Sequence, residues 1–78
     1  MIEYLILENE EVALDIISDV KNSYGNILLD FPIKFKDVNT EGLYYIFLVM
    51  EEFREYLKEE DKKKLVESIP EELIPLDQ

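Results

Sequence analysis

The segment N39-T40-E41-G42-L43-Y44-Y45-I46-F47-L48-V49-M50 passes directly from four polar or turn-forming residues to eight bulky apolar ones. Thr40 is a favourable N-cap residue, and Glu41 suits the first turn of a helix. One stripe at three- and four-residue spacing holds the apolar side chains Leu43, Ile46, Phe47, Met50, Phe53 and Leu57. A second stripe holds Tyr45, Leu48, Val49 and Tyr56. The pattern predicts a helix over 41–59 whose first half is apolar nearly all round and needs a cover besides its own sheet.

The preceding part of the chain predicts a strand, a helix and a strand. Residues 2–7 are an apolar stretch typical of a buried strand. Asn9 can cap a helix over 10–23, with Gly25 as the residue that ends it. Alternation of apolar residues then predicts a strand over 26–31, with an irregular or edge continuation to 36 because Pro32 removes one backbone donor.

Together these elements predict a small α/β or α+β fold built on a βαβα unit. A βαβ unit normally makes its two strands parallel through a right-handed crossover. After the charge cluster at 59–64 we expect either a helical turn or a short third strand at 64–67. Ser68 and Glu71 have capping-box spacing, which predicts a last short helix carrying Leu73 and Ile74. The expected body is a sheet of two or three strands packed against two main helices and a short C-terminal helix.

The length and composition favour one domain, residues 1–78, in the cytoplasm. A chain of 78 residues is short for two cores, and no linker or internal repeat divides it. It has no cysteine, hence no disulfide framework, which fits a reducing compartment. The stretch 1–7 lacks the positive charge of a secretory signal. The longest apolar run, 43–50, is far shorter than the roughly 20 residues that cross a bilayer, so we expect no membrane span.

Charge is the strongest compositional signal. Nineteen acids against eight bases give a net charge of −11, and both halves of the chain are acidic. Such a field repels phosphate backbones and favours encounter with basic protein surfaces. We therefore expect a basic protein partner and no direct binding of nucleic acid. The alternative is that the charge serves solubility alone.

The residue types for common catalytic sites are missing. Histidine and cysteine are absent, which removes the usual base near neutral pH and the thiol nucleophile. The serines and Thr40 stand in no activating motif. The acid clusters lack the loop pattern of a calcium site, and Gly25 and Gly42 are isolated and form no phosphate-binding loop. We expect no enzyme activity, no metal site and no cofactor.

One family resemblance arises from the order L28-L29-D30-F31, a short link containing Phe35, and then N39-T40-E41-G42-L43. This order resembles the STAS and STAS-like family, the fold of anti-sigma factor antagonists. There an LDL- or LDF-like strand end precedes a D-S-S-G-L turn that caps a helix, and the second serine can be a phosphorylation switch. The resemblance covers about residues 8–74. It implies a regulatory module that binds a kinase-like or sensor partner through a loop in which Glu41 occupies the switch position and cannot be phosphorylated.

Two binding functions therefore stand side by side. In the first, the chain is an inhibitor or immunity-type protein, of phage or anti-defence type, that covers the basic surface of a nucleic-acid-handling protein. Its expected contact residues are the acids and tyrosines Glu51, Glu52, Glu55, Tyr56, Glu59, Glu60, Asp61, Tyr44 and Tyr45. In the second, the chain is a STAS-like switch, and the contact loop is Asn39, Thr40, Glu41 and Gly42. Self-association as a homodimer is a separate hypothesis, because a small sheet leaves open edges.

Overall fold

The computed structural model describes residues 2–25 and 32–76, which form one four-stranded sheet and three helices. The elements in chain order are β1 (Ile2–Leu7), α1 (Glu10–Tyr24), β2 (Ile33–Asp37), β3 (Leu43–Met50), α2 (Glu51–Arg54), α3 (Glu59–Lys62) and β4 (Leu73–Pro75). The expected mixed fold of helices and sheet is confirmed. The strand predicted at 26–31 lies outside the described residues, and the continuation expected up to residue 36 is the regular strand β2.

The sheet has the order β1-β3-β2-β4, and every neighbouring pair is antiparallel. Because β3 is antiparallel to both of its neighbours, β1 and β2 run in the same direction but do not touch. The observed β1-α1-β2 unit therefore has an antiparallel strand, β3, inserted between its two strands. The chain reaches this position through a hairpin between β2 and β3, a connection that needs only a few residues.

The prediction of a helix over 41–59 was wrong for its first half. Residues 43–50 form β3, an inner strand of the sheet, and only α2 and α3 are helical in the region that follows. The physical reason lies in the residue types, since aromatic and β-branched side chains pack well on a pleated sheet. The strand also explains why residues 43–50 are nearly all apolar. Alternate residues of a strand face opposite sides of the sheet, and here both sides carry a core.

The larger core lies between α1 and one face of the sheet. Its buried residues are Leu5, Leu7, Ala13, Ile16, Val20, Phe47, Val49 and Leu57. Leu57 comes from the turn between α2 and α3, so this short helical segment closes the core beside α1. Val12 and Tyr24 follow the same three- and four-residue spacing on α1, but both lie at the border of the packed face and are about half exposed.

The second face of the sheet carries a smaller core of Phe35, Ile46 and Leu73. The chain after α3 covers it. Val66 forms a single antiparallel bridge to Tyr4 at the outer edge of β1, and the following residues pass over the face to β4 at the opposite edge, with Ile69 packed on the core. The alternative of a third strand at 64–67 thus corresponds only to this one bridge.

The ends of α1 match the predicted signals. The backbone N–H of Glu11 donates to the side-chain oxygen of Asn9 at 2.8 Å, as an N-cap requires. Gly25 has a φ of 81°, in the left-handed region open to glycine, and its N–H donates to the carbonyl of Lys21. Helix α1 is therefore fixed by signals next to it in sequence.

The predicted C-terminal helix was wrong. Leu73 and Ile74 belong to β4, which pairs with β2 through bonds that include Val38 N–H to the Glu72 carbonyl at 2.9 Å. Pro70 lies inside the predicted capping box and disfavours a helical residue before it. On the outer edge of β4, Pro75 has no N–H and the N–H of Leu73 donates to the Pro70 carbonyl, so this edge offers little to a further strand.

Candidate partner-binding surface

The predicted acidic residues lie on α2, α3 and the turn between them. Both helices are only four residues long, and each begins with acids in its first turn, where the positive end of the helix favours them. Five of these acids are exposed and are here called the acidic surface: Glu51, Glu52, Glu55, Glu59 and Glu60. Asp61 differs from them, because only 8% of it is exposed.

The basic residues of the same segment are all engaged within the molecule. Arg54 Nε lies 3.2 Å from a carboxylate oxygen of Glu3 on β1. Lys58 Nζ lies 3.0 Å from Asp19 Oδ2 on α1, and Lys62 Nζ lies 3.2 Å from Glu59 Oε1. Two of the three pairs connect the helical segment to another element, so they orient this segment relative to the sheet and α1.

Three acids of the acidic surface have no such partner. Among residues 2–25 and 32–76, Glu52, Glu55 and Glu60 form no hydrogen bond through their side chains and no ion pair. Over residues 51–62 there are six acids and three bases, a net of −3. Since each base already faces a carboxylate, the charge left over on this surface is negative.

The predicted tyrosines do not lie together. Tyr56 is next to the acidic surface, with its ring edge-on to Tyr24 of α1 at a centroid distance of 4.8 Å. Tyr45 packs on the larger core, whereas Tyr44 packs on the smaller core at the opposite face of the sheet. Both lie near the start of β3, about 20 Å along the strand from Glu51 at about 3.3 Å per residue. The structure thus brings Tyr56 to the acidic surface, whereas Tyr44 and Tyr45 lie far from its Glu51 end.

Tyr44 has an acidic environment of its own. Partial burial of the ring raises the pKa of its hydroxyl above 10.0, and the negative charges of Glu8, Asp37 and Glu72 raise it further, as does a hydrogen bond with Glu8. The neutral phenol is therefore favoured at this position, where it can donate to a carboxylate.

The alternative site, the loop over 39–42, is the β2–β3 hairpin turn. Asp37 Oδ1 accepts hydrogen bonds from the backbone N–H groups of Asn39 at 2.7 Å and Thr40 at 3.1 Å. Glu41 has a φ of 62°, and its N–H donates to the Asp37 carbonyl. Thr40 Oγ1 accepts from the Gly42 N–H at 3.2 Å. Thr40 therefore acts within a turn, and the prediction that it caps a helix was wrong.

Comparisons of the chain with protein-family models, with curated proteins and with solved structures found no match. The STAS-like resemblance therefore stays a prediction. The structure adds one fact to it: the loop that resembles the switch leads into strand β3, where the family pattern has a helix.

Sequence reasoning missed several residues of the surface because their roles depend on distant partners. Glu3 and Asp19 hold Arg54 and Lys58, and Tyr24 contacts Tyr56. No spacing in the sequence indicates these pairs. Asp37 was also missed, although its position two residues before Asn39 at the end of an alternating stretch is a known signal for a turn stabilised by an aspartate side chain.

Two further observations concern metal binding and membrane spans in the described part of the chain. Within it, no group of three or more acidic side chains is placed to hold a metal ion. None of the helices in residues 2–25 and 32–76 combines the length and the apolar character that a bilayer-crossing helix needs.

Proposed function

We propose that the chain is a non-enzymatic, cytoplasmic, acidic binding module that docks on the basic surface of a nucleic-acid-handling protein and blocks that surface. The observation that carries the proposal is the difference in pairing on the acidic surface. Arg54, Lys58 and Lys62 are each held by a carboxylate of the chain itself, while the described residues provide no ion-pair partner for Glu52, Glu55 and Glu60. Carboxylates without partners are available to an external cation.

The physical mechanism is charge steering followed by substitution for phosphate. A net charge of −11 raises the rate of encounter with a basic surface. Once docked, carboxylates can form charge-assisted hydrogen bonds with the arginine and lysine side chains that otherwise hold nucleic acid. Burial of Leu57 in the larger core holds the segment in place and the ion pairs Arg54–Glu3 and Lys58–Asp19 orient it, so less conformational freedom is lost on binding. No reacting group is needed, in keeping with a chain that has neither histidine nor cysteine.

The test uses the protein that co-purifies with the tagged chain from its native host. In the first variant Glu52, Glu55 and Glu60 are all replaced by lysine. In a matched control variant Asp15, Glu67 and Glu71 are replaced by lysine; these are exposed acids outside the acidic surface. Each variant moves the net charge from −11 to −5, since three acids become three bases. We expect the first variant to lose the partner and the control to retain most of the affinity.

Salt dependence provides the second readout. The affinity of the unmodified chain should fall steeply as ionic strength rises, because the contacting charges are exposed. An equal loss of affinity for the partner in both variants would mean that only the total charge matters, and it would contradict the assignment of this surface. Retention in the first variant, with loss in Glu41→Lys or Thr40→Ala, would instead support the STAS-like loop as the contact site.

A further inference from the structure

A small cleft separates α1 from the segment that joins α2 and α3. Its volume is about 140 Å³. The lining residues include Tyr24, Tyr56 and Asp61, together with Asp19 and Lys58, which form an ion pair. This volume is well below the roughly 300 Å³ at which pockets for drug-sized ligands begin, yet it is several times the roughly 30 Å³ that a water molecule occupies. The cleft therefore suits the end of one side chain.

Asp61 is the unusual residue of this cleft. It is 8% exposed, and its carboxylate makes no hydrogen bond or close ion pair with any residue in the described ranges. No side-chain oxygen within those ranges is fully enclosed without a partner, so the small exposed part of Asp61 is what meets the cleft. Its oxygens are therefore open to the cleft, and Lys58 acts on this carboxylate through its charge without a hydrogen bond, so the oxygens can accept from a ligand that supplies donors.

The charges and the aromatic rings define the chemistry of that ligand. Asp19 and Asp61 contribute two negative charges to the cleft and Lys58 contributes one positive charge, so a single monovalent cation neutralises it. Tyr24 and Tyr56 meet edge to face at 61°, and Tyr24 is half exposed, which leaves ring surface for a cation–π contact. Ser23, whose side chain is a hydroxyl, also lines the cleft.

We propose that this cleft binds the guanidinium group of one arginine side chain on the partner, with Asp61 as the main acceptor and Tyr24 as the stacking surface. The biological role of the cleft rests on the function proposed above, while its binding chemistry does not. Arginine is favoured over lysine for two reasons. A planar guanidinium stacks on aromatic rings, and its five donors can serve Asp61, Ser23 and Asp19 at once. A lysine ammonium is a compact charge that stays strongly hydrated.

The test uses the full chain and a small probe, N-acetyl-arginine amide, with N-acetyl-citrulline amide as the neutral analogue of the same shape. Binding is followed by NMR through the ring signals of Tyr24 and Tyr56 and the carboxyl carbon of Asp61. We expect saturable shifts of these signals with the arginine probe and much smaller ones with citrulline. N-acetyl-lysine amide should bind more weakly than the arginine probe.

Two matched variants locate the site. Asp61→Asn keeps the size of the side chain and removes its charge, and Glu71→Gln removes one charge from an exposed residue that lies outside the cleft and the acidic surface. Both have a net charge of −10. We expect Asp61→Asn to weaken binding of the probe about fivefold or more, as loss of a charge-assisted bond predicts, and Glu71→Gln to change it less than about twofold. Tyr24→Leu, at a half-exposed position that leaves the core intact, should weaken it about two- to fivefold.

Several results would overturn the inference. These are equal binding of arginine and citrulline probes, tighter binding of the lysine probe, or equal effects of Asp61→Asn and Glu71→Gln. The two proposals fail separately. If the triple lysine variant loses the partner but the arginine probe does not bind in the cleft, only the cleft assignment is wrong. If the probe binds as expected but the triple variant keeps its partner, only the acidic surface is wrong.

Discussion

The carboxylate of Asp37 accepts a hydrogen bond of 2.7 Å from the backbone N–H of Asn39. A second bond to the same oxygen comes from Thr40, so one side chain satisfies two amides of the turn that joins β2 and β3. Asp37 is itself mostly buried beside the sheet. The turn places β3 between its two neighbours, and the sheet depends on it.

The first prediction concerns this turn. Asp37→Ala should lower the free energy of unfolding by about 1–3 kcal/mol, because two backbone donors lose a charged acceptor. Asp37→Asn keeps the accepting oxygen and should cost less than about 1 kcal/mol. Urea unfolding followed by circular dichroism measures both. Equal losses in the two variants would show that the charge, and not the pair of hydrogen bonds, is what matters.

The second prediction uses the left-handed backbone of Glu41, with its φ of 62°. Glu41→Gly should raise the free energy of unfolding by about 0.5–1 kcal/mol, since glycine adopts this conformation without steric cost. The lost ion pair with Lys36, at 3.4 Å and largely exposed, contributes little. Glu41→Ala is the control: it removes the same carboxylate but keeps a Cβ, so it should not stabilise. Thermal melting measures both variants, and equal melting temperatures for Glu41→Gly and Glu41→Ala would contradict the prediction.

The third prediction distinguishes a strand from a helix at 43–50. Leu48 and Val49 would share one stripe of a helix, but on β3 they face opposite sides, and their exposed fractions are 39% and 2%. Val49→Thr should therefore cost about 1–3 kcal/mol by burying a hydroxyl without a partner. Leu48→Thr should stay within about 1 kcal/mol, as a partly exposed position allows. Similar losses at the two positions, measured by denaturant unfolding, would favour the helix.

The fourth prediction concerns the ion pair that joins α1 to the helical segment. The hydrogen bond that Lys58 donates to Asp19, and then the negative charge of Asp19, raise the pKa of the Lys58 amine above its usual 10.5. A raised pKa means that the folded state holds this proton more tightly. The resulting stability is fully present below pH 10.5 and is lost as the pH rises through the higher folded value.

Asp19→Asn should return the pKa of Lys58 toward 10.5, measured from the pH dependence of its side-chain NMR signals. Asp15→Asn is the matched control, because Asp15 is an exposed acid on the same helix that forms no ion pair with a described residue. It should leave the Lys58 titration unchanged. A similar shift in both variants would mean that the general negative field of α1, rather than the contact with Asp19, holds the proton.

By itself, the sequence determined the elements whose signals are local. Strand β1 and helix α1 have the predicted bounds within a residue, because Asn9 and Gly25 act on their own neighbours through caps and backbone conformation. The sequence also determined the acidic character and the exposed acids of α2 and α3, since charged side chains are rarely buried. Asp61 is the exception, because it is mostly buried and only the tertiary structure shows this.

The tertiary structure decided what the segment 39–50 becomes. Its apolar stripes satisfy a helix as well as a strand, and the choice depends on backbone partners from β1 and β2 that lie elsewhere in the chain. The cleft has the same origin, since Asp19 and Tyr24 meet Lys58 and Tyr56 only when the helical segment folds beside α1. Hydrogen bonding in a sheet and contacts between elements are non-local, so no local sequence pattern specifies them.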